Sequence, residues 1–261
     1  MIFLEKINVS FSKGTAAFRV ALNNLDLRIQ EGEFLTVIGS NGAGKSTLLN
    51  TIAGEVIPDS GAIHIDDEIV TNQNTNVRAQ HVARVFQDPV AGTCANLTIA
   101  ENLALALRRG KSRSLKKAVN NESKILFKEL LKPLNLDLEN RLDTLMTMLS
   151  GGQRQAVSLL MATLSPLKIL LLDEHTAALD PKTSKFVMEL TNRIVKEKGL
   201  TTLMVTHSLS QALQYGSRTI MLHEGRLIYD VKGKERSGLT PQDLMHQFGN
   251  TVDNDRLLLN S

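Results

Sequence analysis

The nine residues from Gly39 to Thr47 constrain this 261-residue chain more than any other stretch. They read Gly39-Ser40-Asn41-Gly42-Ala43-Gly44-Lys45-Ser46-Thr47 and match G-x-x-x-x-G-K-[ST]. The short apolar segment Phe34–Ile38 precedes them, and Leu48, Leu49 and Ile52 follow at helical spacing, so the stretch predicts strand, loop, then helix. The glycines let backbone N–H groups turn inward towards an anion, where a Cβ would obstruct. The helix behind them presents its positive end to the same place. In such a loop Lys45 bridges the β- and γ-phosphates of a nucleotide, and the Ser46 hydroxyl ligates Mg²⁺.

A second segment has matching chemistry. Ile169-Leu170-Leu171-Leu172 is apolar without alternation, which suits a strand buried on both faces. It ends in Asp173-Glu174, at the carboxyl end of the strand where ligands bind in parallel sheets. A metal-bound carboxylate stays ionised while a neighbour off the metal can accept a proton. Asp173 is therefore expected to hold the Mg²⁺, and Glu174 to orient and polarise an attacking water. Shortly before this strand lies Leu149-Ser150-Gly151-Gly152-Gln153, opening a helical stretch Gln153–Leu164. A serine followed by two exposed amides at a helix start makes a second anion-facing terminus.

The remaining chain predicts an α/β protein. Ile2–Phe11 and Leu25–Gln30 are short and β-branched, and Ala62–Val70 suggests a hairpin arm around Asp66-Asp67. From Thr98 to Leu107 and from Glu122 to Leu131 apolar residues recur at helical spacing, with Ile125, Leu126 and Leu130 marking the second stretch. The last third alternates helix Thr183–Lys198, strand Thr201–Thr206, helix Leu209–Tyr215 and strand Thr219–Leu222. Such alternation implies a mostly parallel sheet covered by helices, with a helical insert at about residues 90–165.

Composition narrows the setting. A net charge of +3 gives no case for nucleic acid, and 42% hydrophobic with 22% charged residues is ordinary for a globular protein. Cys94 is the single cysteine, which excludes a disulfide framework and fits a reducing compartment. The N-terminus lacks a signal peptide's basic start and apolar run. No apolar stretch reaches the roughly 20 residues that span a bilayer. A link to a membrane is thus expected to run through a partner.

With the phosphate loop, the Leu149–Gln153 segment and the Asp173-Glu174 strand in this order, the chain resembles the nucleotide-binding subunit of ATP-binding cassette (ABC) transporters. The resemblance runs from about residue 2 to 248 and implies a P-loop NTPase core, an N-terminal antiparallel β subdomain and an inserted α-helical subdomain. It implies one ATPase domain over 1–249 and a short tail over 250–261. Gln87 matches the Q-loop glutamine that touches metal and water, and Ala178-Leu179-Asp180 matches the D-loop. His207 matches the switch histidine at the γ-phosphate. Phe11 matches the aromatic that stacks on adenine, with Phe18 as its rival. Ser150, Gly151, Gly152 and Gln153 match the signature that faces the γ-phosphate held by a second subunit.

The resemblance further implies a homodimer around two ATP, permease subunits in the membrane, and peripheral attachment at the cytoplasmic face of the cell membrane. Glu174-His175-Thr176-Ala177-Ala178-Leu179-Asp180 is similar to a smaller subgroup of importer ATPases. Those work with extracellular solute-binding proteins for amino-acid-like solutes. His175 stands where proline or alanine is commoner, and a packing or loop role is expected for it over a catalytic one. A separate-chain exporter ATPase and a soluble ABC ATPase without a permease are the competing readings. The basic run Arg108–Lys117 reads as a solvated loop, with anionic headgroups as the alternative, and Cys94 has no partner residues for metal or nucleophilic chemistry.

Overall fold

An uninterrupted apolar strand needs cover on both faces, and the strand feeding the phosphate loop is buried at all six positions. The computed structural model of the protein describes residues 1–111 and 117–249. The tail 250–261 and residues 112–116 of the basic run lie outside the described residues. In chain order come β1 (Ile2–Phe11), β2 (Arg19–Ile29), β3 (Phe34–Gly39), α1 (Lys45–Ala53), β4 (Ser60–Ile65), β5 (Glu68–Ile69) and α2 (Thr75–Arg78). Next are β6 (Val82–Val85), α3 (Ile99–Leu107), α4 (Asn121–Leu131), α5 (Gly151–Ala162), β7 (Ile169–Asp173) and α6 (Pro181–Lys198). The last are β8 (Thr202–Val205), α7 (Leu209–Gln214), β9 (Arg218–His223), β10 (Arg226–Lys232), α8 (Gly233–Ser237) and α9 (Pro241–Gly249).

The chain divides into two compact units, one of Met1–Arg78 with the chain from Gly199 onward, the other of Ala79–Lys198. The first unit contains an antiparallel sheet in the order β2-β1-β4-β5. Leu25, Leu27 and Ile29 of β2 are buried in the period-two pattern of a half-covered sheet, and β1 buries Ile2 and Leu4, then Ile7 and Val9 after a register shift between Leu4 and Ile7. The hairpin between β4 and β5 turns at Asp66, whose φ is 52°. In the same unit β3 pairs in parallel with both β8 and β9, and β10 adds an antiparallel edge beside β9. Ile38, Leu209, Ala212, Met221 and Leu244 form a buried cluster that seats α7 and α9. β10, α8 and α9 had no place in the sequence reading.

In the second unit β6 and β7 pair in parallel, Val82 opposite Ile169 and Val85 opposite Leu172. Helices α3 and α4 each begin with a capping box, Thr98 with Glu101 and Asn120 with Ser123. α4 corrects one expectation. The helix is where spacing predicted it, but Phe127 and Leu131 make its buried face while Ile125 is 66% exposed and Leu126 is also exposed. With several apolar residues spread around the helix, periodicity alone left two faces in competition, and the aromatic ring took the core. Among the described residues, no helix is long and apolar enough to cross a membrane.

Candidate active site

The phosphate loop lies in the first unit and its glycines are required twice over. Gly39, Gly42 and Gly44 have φ values of 156°, 80° and 100°, all in the region that L side chains rarely adopt. A Cβ on Gly39 would run into the Leu222 carbonyl, and one on Gly44 into that of Ala21. The loop is braced from outside, since Gly225 donates its N–H to the Ala43 carbonyl at 3.0 Å. Lys45 opens α1 and is only 6% exposed. Its ammonium donates to the Gly39 carbonyl at 2.7 Å and the Ser40 carbonyl at 2.9 Å, closing the loop on itself. Ser40 and Ala43 are buried, Asn41, Gly42 and Ser46 are exposed, and Thr47 is half-buried. Leu48, Leu49 and Ile52 anchor α1 behind them with no exposure.

Sheet register brings His207 to the same edge. Val37 of β3 lies opposite Val205 of β8, so Gly39 and His207, each two residues further on, leave the carboxyl edge together. Ser208, next to His207, caps α7, its side chain accepting from the Gln211 N–H at 3.2 Å. Phe11 ends β1 half-buried, with the Arg19 guanidinium 5.3 Å from its ring centroid, while Phe18 is 53% exposed.

The second unit repeats this logic. Val85 opposite Leu172 places Gln87 and Glu174, again two residues on, at one carboxyl edge, with Asp173 between strand and turn. Gln87 is exposed, and Asp173 and Glu174 are half-buried. Glu174 has a φ of 45°, so the chain turns sharply at the residue proposed to touch water. Asp173 accepts from the Arg84 guanidinium at 2.6 Å, a partner that sequence reasoning missed. The available signal was a lone charge inside the otherwise apolar Val82–Val85.

The signature is a helix start built on both sides. Ser150 caps α5 by accepting from the Gln153 N–H at 3.3 Å, and the Gln153 side chain accepts from the Ser150 N–H at 3.1 Å. Gly151 and Gly152 are its first helical residues, and a Cβ on Gly152 would overlap the Thr183 methyl of α6. At the other end, Arg109 donates to the Ala162 carbonyl at 2.8 Å and Lys198 to that of Thr163 at 2.6 Å. Two cations on the negative end of α5 favour its dipole. Arg109, first of the basic run with Arg108, is therefore not a solvated loop residue. Burial lowers its pKa. Asp180 accepts from the Thr183 N–H at 3.1 Å and caps α6, and hydrogen bonding from Thr183 holds its carboxyl below the usual range.

His175 is buried, and its Nε2 lies 2.9 Å from the Thr191 hydroxyl. Thr191 donates its proton to the Val187 carbonyl at 2.8 Å, so the histidine is the donor in that contact. Burial pushes its pKa down to about 4, leaving a neutral ring at physiological pH. This is the packing role expected for it. Thr191→Val should strand that ring N–H in an apolar site. The expected loss is about 1–3 kcal/mol of stability, read by urea unfolding.

A glycine-rich loop closed by Lys45 and a buried strand ending in Asp173-Glu174 define a P-loop nucleoside triphosphatase. A capped Ser-Gly-Gly helix start is the further mark of a cassette. The model of the ABC transporter family matches residues 22–177, and the chain belongs to that family, as an ATP-binding and ATP-hydrolysing subunit. The chain is 50% identical over 248 residues to a tyrosine transport ATP-binding protein of Clostridioides difficile, covering 95% of this chain and 98% of that protein. It is 34% identical to the thiamine import ATP-binding protein ThiQ of Photobacterium profundum, over 87% of this chain and 90% of that one. Among solved structures it resembles the dimeric cassette MJ0796, with a TM-score of 0.75 and 33% identity over 89% of this chain and 98% of that chain. A post-hydrolysis dimer of MJ0796 bound to ADP and Pi matches equally well.

Proposed function

We propose that two copies of this chain close around two ATP and Mg²⁺ to drive a membrane permease that imports an amino-acid-like solute. One observation carries the solute class: the 50% identity, nearly end to end, with a tyrosine transport ATP-binding protein. The dimer reading is supported by the dimeric MJ0796 cassette. In the proposed dimer the Ser150 helix start of one copy faces the γ-phosphate held by Lys45 of the other, and Asp180 lies at the interface. The protein sits at the cytoplasmic face of the cell membrane through its permease, and an extracellular solute-binding protein serves the same permease.

The donor set fits the metal. The Asp173 carboxylate, the Ser46 hydroxyl and the Gln87 amide oxygen are hard ligands, and a single carboxylate beside substrate phosphates suits Mg²⁺. When bound, the ion neutralises charge on the phosphates. Lys45 supplies a second positive charge, and the Gly151 and Gly152 amides at the head of α5 supply oriented dipoles. Glu174 takes the proton from the attacking water, and His207 contacts the γ-phosphate. Phe11 stacks on adenine. None of these groups forms a covalent bond to substrate, so catalysis is positioning and electrostatics.

Affinity purification of the tagged chain from its own host should bring down an integral membrane protein and a secreted binding protein. Calorimetry on that binding protein should then show tyrosine or a related amino acid bound in preference to thiamine. Recovery of the chain without any integral membrane protein would favour the soluble ATPase reading instead.

A further inference from the structure

Arg84 is the charged residue of β6, and its surroundings hold it from several sides within the second unit. Its Nη2 donates to Asp173 Oδ2 at 2.6 Å, with the two side chains only 11% and 15% exposed. Its guanidinium lies 4.7 Å over the Phe86 ring centroid, a cation–π contact. The Phe86 carbonyl accepts from Gln155 Nε2 at 3.0 Å, and Gln155 is a buried residue of the signature helix α5. A chain of contacts thus runs from α5 through Phe86 and Arg84 to Asp173, passing beside Gln87.

Such a pair has a chemical consequence. A short charge-assisted hydrogen bond in a site mostly removed from water fixes the carboxylate in one orientation and offsets part of its charge. A divalent cation at Asp173 must then be accommodated beside a guanidinium already on one oxygen of that carboxylate. We propose that Arg84 is a positioning residue that orients Asp173 for Mg²⁺ and tempers the affinity of Asp173 for the ion. Mg²⁺ engagement is thereby linked, through Phe86 and Gln155, to the signature helix. This rests on the reading of Asp173 as a metal ligand given above.

The test is Mg²⁺ titration of the binding of a fluorescent ATP analogue to the full chain, which reads the metal independently of hydrolysis. In Arg84→Gln the half-saturating Mg²⁺ concentration should fall about three- to ten-fold, while the ATPase rate at saturating Mg²⁺ also falls because Asp173 loses its orientation. Arg84→Lys keeps the charge and should stay within about two-fold of the wild type in Mg²⁺ dependence. A half-saturation in Arg84→Gln that is unchanged or raised overturns the proposal and leaves the pair a fold-holding contact. If Arg84→Gln does not fold, Phe86→Leu removes the aromatic support. It should then shift the half-saturation downward by about two-fold, and no shift there is equally fatal. Asp173→Asn separates the two ideas. If that variant keeps wild-type Mg²⁺ dependence, the assignment of Asp173 itself fails, whatever Arg84 does.

Discussion

Glu174→Gln should bind ATP with wild-type affinity, lose about 10²–10⁴-fold in hydrolysis, and accumulate as an ATP-bound dimer on size-exclusion chromatography. The substitution preserves side-chain shape and leaves the backbone as it was. That matters because residue 174 turns with a φ of 45°, and glutamine meets the same steric cost there as glutamate. Folding is therefore expected to be unchanged, and the variant isolates the proton acceptor. The neighbouring Asp173, engaged by Arg84, is not placed to substitute for it. Without hydrolysis the dimer has no route to open, so closed protein builds up. Turnover at the normal rate would remove Glu174 from its proposed role.

Lys45→Ala is the second large effect, and it acts one step earlier. The ammonium holds the Gly39 and Ser40 carbonyls while nine-tenths of the side chain is shielded from water. Its loss deprives the phosphates of a charge-assisted donor and releases the loop from its own clamp. Hydrogen bonds to charged groups contribute about 1.5–3 kcal/mol, so ATP affinity should weaken roughly 10- to 150-fold by calorimetry. Because Leu48, Leu49 and Ile52 still anchor α1, thermal stability without nucleotide should change little. Retained affinity in this variant would mean that the loop amides alone hold the nucleotide.

Much of the site was legible because its chemistry is local. The phosphate loop needs a strand, a run of glycines and a helix in immediate succession, and all three are neighbours along the chain. The same holds for Ser150 at the start of α5, where side chain and amide lie three residues apart. The burial of His175 and its partner Thr191, 16 residues away on α6, came only from the structure. The face of α4 was misread, since Ile125 and Leu126 satisfy a helical period as well as Phe127 and Leu131 do.

The order of glycines, lysine, serine and acids along the chain was enough to place it among phosphate-loop ATPases, because each motif creates its own backbone geometry. The companions of those motifs were not readable in that way. Arg84 meets Asp173 across 89 residues, and Gln155 reaches the Phe86 carbonyl across 69. Gly225 supports the loop at Ala43 from a distant turn, and Leu222 and Ala21 leave no room for a side chain on Gly39 or Gly44. Strand pairing and helix packing bring these groups together, and both depend on burial summed over the whole chain, which no local pattern encodes.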